Sequence, residues 1–521
     1  MVRVRRVLFR DWVKEADGSN PSRWHQISGT WAAQSNTIQV VTGAASRVAV
    51  GPAEQGAVCG TVAQAGEMYF DVTMNLVTTG VSSIMYFIIF ASASSGAYLG
   101  NSYLLAIDSA KAYLYRSDSD ALTELDNAVS AHADGTPYKY VIHYTPATGA
   151  WSVTEDGTEI LTATDHIYET GSYLGLRAEQ VTARYSLVRA RCPDVSAVSR
   201  ITHDNAMTKE VGEVRVYYGN ENSSSTDFLV GDGLEIVFGP EATEVVDFWG
   251  KIEKLRNCLE DVDELTAYDW RVELFKAELQ FSGSTSKIAQ IMTGAMAAKC
   301  RILTTGGVKD TSDAAALRDI SGEPMMAGFK RLLSETGYYM SYDGTKELVI
   351  SDTFGASGVT LVAADIAKAE RVDDLVDNVN TAAIYFNGGV SSVGGSGADY
   401  QTYGRSEKIL VDPQCPNATQ AGARGTYLTT RYAGSVQTYD IWCLNGGIQP
   451  GETGTITMPY YGITAATFLC LEKHYDIPDG LGFRYRMNIT IAGVVERHGL
   501  GHIDRLASIG EKSQLGLAGS V

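Results

Sequence analysis

The chain has 521 residues, 45% hydrophobic and 20% charged, with 53 Gly, 12 Pro and 28 Tyr. Its 61 acidic residues outweigh 42 Lys and Arg, for a net charge of −19. That balance excludes an electrostatic grip on nucleic acid, which needs clustered cations, but not a passage through which DNA slides.

A chain of this length exceeds one core and implies roughly three or four domains. Abundant Gly and Tyr among short apolar runs favour β-rich architecture. The seven cysteines are scattered, odd in number and without a CxxC, so neither a disulfide framework nor a zinc site is expected. The start "MVRVRRVLFRDW" is basic but has no apolar stretch behind it, unlike a signal peptide. "IMYFIIFA" (84–91) is too short to cross a bilayer and reads as a buried strand.

Taken in order, the region 7–192 reads as all-β. "WHQISGTWAAQSNTIQVV", "MYFDVTMNLV", "SYLLAID", "AYLYRSD", "YKYVIHYTP", "WSVTEDGTEIL" and "SYLGLRAE" are candidate strands. Turn pairs Asp134-Gly135, Thr148-Gly149 and Asp156-Gly157 join several of them, as in a sandwich. Residues 193–227 read as a junction ending in the polar loop "NENSSSTD". "GDGLEIVFGPEATEVVDFWGKIEKL" (231–255) then reads as a hairpin turning at Gly239-Pro240, with Phe248 and Trp249 on opposite faces of its second strand.

A helix is expected after Ser284–Ser286, with Ile288, Ile291, Met292, Ala295 and Met296 on one face. A second, over 325–336, turns Phe329, Leu332 and Leu333 inward and stops at Gly337. "YYMSYDGTKELVISD" is a hairpin about Asp343-Gly344, completing a small α+β insert. "NTAAIYFNGG" is a strand and "SSVGGSGADY" a loop. A helix near 418–432 precedes the last strands, "TYDIWCLN", "TGTITMPYY", "TFLCLEKHYDI" and "RYRMNITIAG".

The chemical constellations are sparse. His498 and His502 are four apart, but Gly499 and Gly501 argue for a turn over a metal-bearing helix. Glu260, Asp261, Asp263 and Glu264 lack the glycine and distal Glu of a calcium loop and read as a solvated loop. Asp373 and Asp377 would repel on one helix face and read, with Asp374, as surface charge. No GxSxG, HExxH or P-loop pattern occurs, so no catalytic residue, metal ligand or cofactor is expected. Trp24, Trp31 and Trp151 admit two readings, stacking faces for sugar or core packing.

Two resemblances follow from these segments. "WHQISGTWAAQSNTIQVV", "YLLAIDSAKAYLYRS", "DGTPYKYVIHYTPATGAWSVTEDGTEIL" and "ETGSYLGLRAEQ" resemble the concanavalin/laminin-G-like jelly roll. That implies a lectin-like sandwich binding glycan or protein, with Trp24, Trp31 and Trp151 as its candidate carbohydrate-binding residues. The ExDxxE carboxylates of related glycan-cleaving enzymes are absent, since Glu67 and Asp71 in "EMYFDVTM" do not fit them. Residues 195–510 resemble tail hub or baseplate hub proteins of tailed viruses, the late-control-D-like family. The carrying segments, in the family's order, are "DGLEIVFG…VVDFWGKI", "YDWRVELFKAELQFSGSTSKIAQIM", "GFKRLLSETGYYMSYDGTKELVISD", "AERVDDLVDNVNTAAIYFNGG" and "GITAATFLCLEKHYDI".

The resemblances imply a mainly β fold with a small α+β insert, a jelly-roll sandwich followed by two hub β-barrels. The expected divisions are a sandwich over 1–192, the first barrel's first part over 193–282, the insert over 283–378, the second barrel over 379–510 and a loose tail over 511–521. They further imply a non-enzymatic homotrimeric ring at the virion tail tip, assembled in the host cytoplasm. Its implied partners are the tail tube or distal tail protein ring, the tape-measure protein, tail-tip or fibre proteins and a host-surface glycan, with DNA only in transit through the lumen. A glycan depolymerase and a contractile secretion-system spike are the alternatives.

Overall fold

The computed structural model describes most of residues 2–491, leaving out 12–23, 52–66, 220–227, 239–244, 395–405, several shorter stretches and 492–521. The fold is mainly β, and among the described residues the helices fall in the second half of the chain. It divides into two compact units. The first comprises 1–196 and 224–246, the second 197–223 and 247–521.

The first unit is a two-sheet sandwich. One sheet orders its strands Thr182–Asp194, Met68–Thr78, Pro137–Thr145, Ala150–Glu155 and Thr158–Thr164, all antiparallel. The other runs Ala121–Val129, Lys111–Asp118, Ser102–Ile107, Ile84–Ala91, Tyr173–Glu179, Arg47–Gly51 and His25–Ser28. Alternation sets the inward faces: Phe70, Val72, Met74, Tyr140, Ile142 and Val153 from the first sheet meet Phe87, Ile89, Leu105 and Leu114 from the second. Asp156 (φ 47°) and Gly157 (φ 86°) join Glu155 to Thr158. Two positive φ angles in a two-residue loop are what a type I′ hairpin requires.

The basic start of the chain is itself a strand, Val2–Asp11. It pairs with Thr182–Asp194 and, over Val2–Val7, with Gly233–Phe238. The first strand of the expected central hairpin thus belongs to the sandwich unit; it neighbours Val245–Arg256 in the sheet, and that second strand also pairs with Val262–Asp269. The Gly239-Pro240 turn lies outside the described residues.

In the second unit, Val198–Ala206 and Glu213–Gly219 replace the expected junction with paired strands, and Glu213–Gly219 continues onto Val262–Asp269. That last strand also absorbs Asp263 and Glu264, expected in a solvated loop, because Leu265 and Ala267 alternate inward and are fully buried. The long strand Ile463–Pro478 binds this group to the C-terminal one. Its Glu472–Pro478 half pairs with Arg200–Ala206, its first half with Glu452–Met458, and its middle with Tyr485–Ile491, which passes on to Val436–Cys443 and Ile366–Asp374. Asp373 and Asp374 therefore end a strand and share no helix face, and Asp377 lies outside the described residues.

Between these groups lie helices Ile288–Lys299 and Met325–Leu333 with two small sheets, Glu278–Ser286 on Ala316–Pro324 and Thr304–Val308, Glu347–Ser351, Tyr339–Tyr342. Ile288, Ile291, Met292 and Met296 are buried as the periodicity demands, while Ala295 is half-buried. Ser286 ends a strand, so the helix starts at Ile288 with Lys287 as its N-cap, whose backbone N–H donates to Gln290 Oε1 at 3.0 Å. Phe329, Leu332 and Leu333 point inward, and Gly337 is outside the described residues. The segment 379–431 forms a separate layer. Thr381–Phe386 lies between Gly389–Gly394, expected as loop only from Ser391 on, and Glu407–Val411, and helix Ala418–Arg431 covers one side through Ala421 and Leu428.

Candidate binding face of the first unit

The three tryptophans singled out as sugar platforms are core residues. Trp24, Trp31 and Trp151 are 4%, 0% and 2% exposed. Trp24 meets Phe9 edge-on and donates its indole N–H to Asp11 Oδ2 at 2.7 Å. Trp31 packs on Tyr185. Trp151 stacks on Tyr144 at 4.3 Å and on Tyr103 at 4.4 Å, and donates to the Asp165 carbonyl at 2.8 Å. Their faces are occupied by protein, so a sugar cannot lie on them without unpacking the sandwich.

The polar residues of interest stand on the outer face of the sheet that carries Pro137–Thr145. Pairing places Arg191, Tyr69, His143, Ser152 and Thr162 side by side across five strands. The Arg191 guanidinium lies 4.4 Å over the Tyr69 ring. Tyr69 in turn stacks on His143 at 4.4 Å with 6° between the planes. His143 Nε2 is 3.2 Å from Glu67 Oε2, with the two side chains 29% and 45% exposed. The next row is Thr145, Ala150 and Thr164. His143, Ser152, Thr162 and that row line an open trough of about 410 Å³, beneath which lies Trp151.

Arg191 is anchored by a buried charge cluster. Asp71, fully buried, takes Arg191 Nε at 3.0 Å and Arg189 Nε at 2.8 Å on the same oxygen. Arg189 also reaches Glu235 Oε2 at 2.8 Å, and Glu235 accepts from Arg10. Arg5 meets Asp194 at 2.6 Å and Arg6 meets Asp232 at 2.5 Å. Burial pushes the Asp71 and Glu235 carboxyls up, and the neighbouring arginines more than reverse it, holding both below the usual carboxylate range. Glu67 and Asp71, four residues apart, therefore have separate roles. One is half-exposed beside an imidazole, and the other is a buried counter-ion.

A second cluster ties the 130–136 loop to the sandwich. His132 Nδ1 lies 2.5 Å from the Asp108 carbonyl and Nε2 lies 2.9 Å from Glu155 Oε2, while Tyr140 and Ser130 each donate to Glu155 at 2.8 Å. Burial raises the Glu155 carboxyl, and the bonds from His132, Ser130 and Tyr140 outweigh it and lower it overall. With His132 only 4% exposed, this grouping of Ser, His, Glu and Tyr works as a clamp and offers no room for substrate.

In the second unit, Asp247 sits between His203 Nδ1 at 3.1 Å and Lys473 Nζ, which also donates to the Gly446 carbonyl at 2.6 Å. Phe248 packs edge-on to His203 and Trp249 tilts against Trp270, so both residues are buried on opposite sides of their strand. His498, His502, Glu260 and Asp261 lie outside the described residues.

Sequence reasoning missed the Arg191–Tyr69–His143 row, because the three residues lie on three strands and meet only through register. The local signal was parity alone: His143 falls on the polar positions of an alternating strand.

No family model matches the chain, and no curated protein matches it. Solved structures with a similar fold include the 43 kDa tail protein of prophage MuSo2 from Shewanella oneidensis, at 14% identity and a TM-score of 0.45, covering 58% of this chain and 97% of that one. A tail protein from Neisseria meningitidis MC58 aligns at 15% identity and TM-score 0.43, over 59% of this chain and 96% of its own. Over a smaller part, 34% of this chain and 99% of the other, the carbohydrate binding module CBM66 from Bacillus subtilis aligns at 15% identity and TM-score 0.27.

Proposed function

We propose that this chain is a structural tail-tip or baseplate hub protein of a tailed virus, whose first unit is a lectin-like adhesive domain. The observation that carries the reading is the strand plan of the second unit. Strands from 198–269 and from 436–491 form two groups joined edge to edge through Arg200–Ala206 and Glu472–Pro478, with α+β material inserted between them in sequence. The ordered hub-like segments imply two related barrels with an insert between them in sequence, and this strand plan supports that reading.

On this reading three chains make a ring, which protects sheet edges by pairing or covering them between subunits. The tail tube or distal tail ring, the tape-measure protein and tip or fibre proteins are its neighbours. The net charge of −19 suits a lumen through which DNA passes without sticking. The sandwich units, one per chain, gather weak glycan contacts into avidity. The chain has an assembly role and catalyses nothing in this scheme. Immunogold labelling of virions with an antibody to this chain tests it. Gold confined to the distal end of the tail is the expected result, and unlabelled or uniformly labelled tails would sink the proposal.

A further inference from the structure

An open trough lies beside His143 on the outer face of its sheet. We infer that it is a subsite for a neutral hexopyranose or N-acetylhexosamine unit, with His143 as the stacking platform. This rests on the adhesive reading of the first unit and says where, and for which sugar class, that adhesion occurs.

The platform comes first. The His143 ring presents one face to Tyr69, parallel to within 6°. Its other face is turned toward Ser152 on the next strand and so toward the trough. Arg191 backs the stack from the far side of Tyr69, a cation–π contact that strengthens as it is desolvated. Both ends are tied down, Arg191 by Asp71 and His143 by Glu67. A ring fixed in this way loses little rotamer freedom when a ligand covers it.

The space beside the ring fits the same ligand. Ser152 and Ala150 are small and keep the sheet low there, so a flat ring can slide against the imidazole. Thr145, Thr162 and Thr164 supply hydroxyls, each able to donate and accept, which matches the mixed demands of sugar hydroxyls. About 410 Å³ lies in the lower part of the roughly 300–1,000 Å³ range of small-molecule sites. Threonines on a sheet face follow from strand propensity alone. That does not account for a histidine braced from behind by a tyrosine and an arginine, standing where the threonines end.

Charge selects the class. Glu67 is the half-exposed carboxylate next to the platform. Arg191 is 2% exposed and faces Tyr69 and Asp71, away from the trough. An acidic sugar would meet the carboxylate without a compensating cation, whereas a neutral sugar can donate a hydroxyl to it.

The test uses the full chain with methyl glycosides of glucose, galactose, mannose and N-acetylglucosamine, and N-acetylneuraminic acid as the anionic probe. Saturation-transfer NMR is followed by titration. At least one neutral glycoside should bind with a Kd on the order of 1 mM. His143→Ala should weaken it by about tenfold or more, and His143→Phe should retain it. Thr162→Arg, at an exposed position that tolerates a long side chain, should abolish it. Undiminished binding in His143→Ala and Thr162→Arg would overturn this subsite and leave the adhesive reading standing. Preference for N-acetylneuraminic acid would overturn the sugar class. Binding of none of the probes by the intact chain would overturn the subsite together with the adhesive reading.

Discussion

Removing Glu235 tests whether the sandwich unit depends on its buried charge cluster. Glu235 is fully buried and is the shared acceptor of Arg10 and Arg189, which are 3% and 0% exposed. Glu235→Ala takes one buried carboxylate acceptor from both Arg10 and Arg189, and Arg189 keeps its pair with Asp71. Breaking a buried pair by deleting one member costs about 3–5 kcal/mol, because the remaining charge stays desolvated. For a unit of roughly 150–250 residues that corresponds to a loss of about 6–20 °C in Tm. Because the chain has two units, the readout must be local. Pulsed hydrogen exchange along a urea series, read on peptides covering 68–78 and 182–194, reports the first unit by itself. Peptides of 436–491 serve as the reference. A loss below about 1 kcal/mol in the first unit's peptides would refute the reasoning and mean that water or rearranged side chains solvate both arginines.

Other outcomes follow from the same structure. Lys473→Met should destabilise the second unit by about 3–5 kcal/mol, since the buried Asp247 carboxylate would lose its lysine counter-ion; urea midpoints of the 463–478 peptides check it. The Asp71, Glu235 and Asp247 carboxyls all lie below their ordinary values: burial raises each, and Arg189 and Arg191, Arg10 and Arg189, or Lys473 and His203 more than offset it. Their contribution is therefore complete above the unfolded carboxylate value of about 4 and fades as pH falls below it. Urea midpoints should hold from about pH 7 to 5 and drop sharply by about pH 3, and a flat profile would contradict the assignment. A Cβ on Gly171 would lie 2.0 Å from the Phe90 carbonyl oxygen, so Gly171→Ala should cost about 1–3 kcal/mol. Gly294→Ala, exposed within a helix and meeting nothing within 4 Å, should stabilise by about 0.5–1 kcal/mol in the same unfolding assay.

Strands were legible wherever local alternation and turn chemistry agreed. Gly135, Gly149 and Gly157 all have positive φ, as the turn pairs demand, and the strands around them fall where the pattern puts them. What stayed hidden depends on contacts distant in sequence. Val2–Asp11 carries no legible strand signal because Arg5, Arg6 and Arg10 find their carboxylates about two hundred residues away, at Asp194, Asp232 and Glu235. Burial of so many arginines cannot be read from a window of neighbours. The tryptophans misled for a related reason: the same residue type serves core and platform, and only the opposing sheet decides. Ser284–Ser286 have good capping chemistry, but pairing with Ala316–Arg318 extends the strand through them and starts the helix later.

The central claim, a hub that assembles as a ring of three, is tested most directly by particle mass in solution. Light scattering across a concentration series, alone and with the tail tube protein present, gives the number. A species of three times the chain mass is expected, seen in negative stain as a ring with a central hole. The mass of a single chain at every concentration, with and without the tube protein, would contradict it.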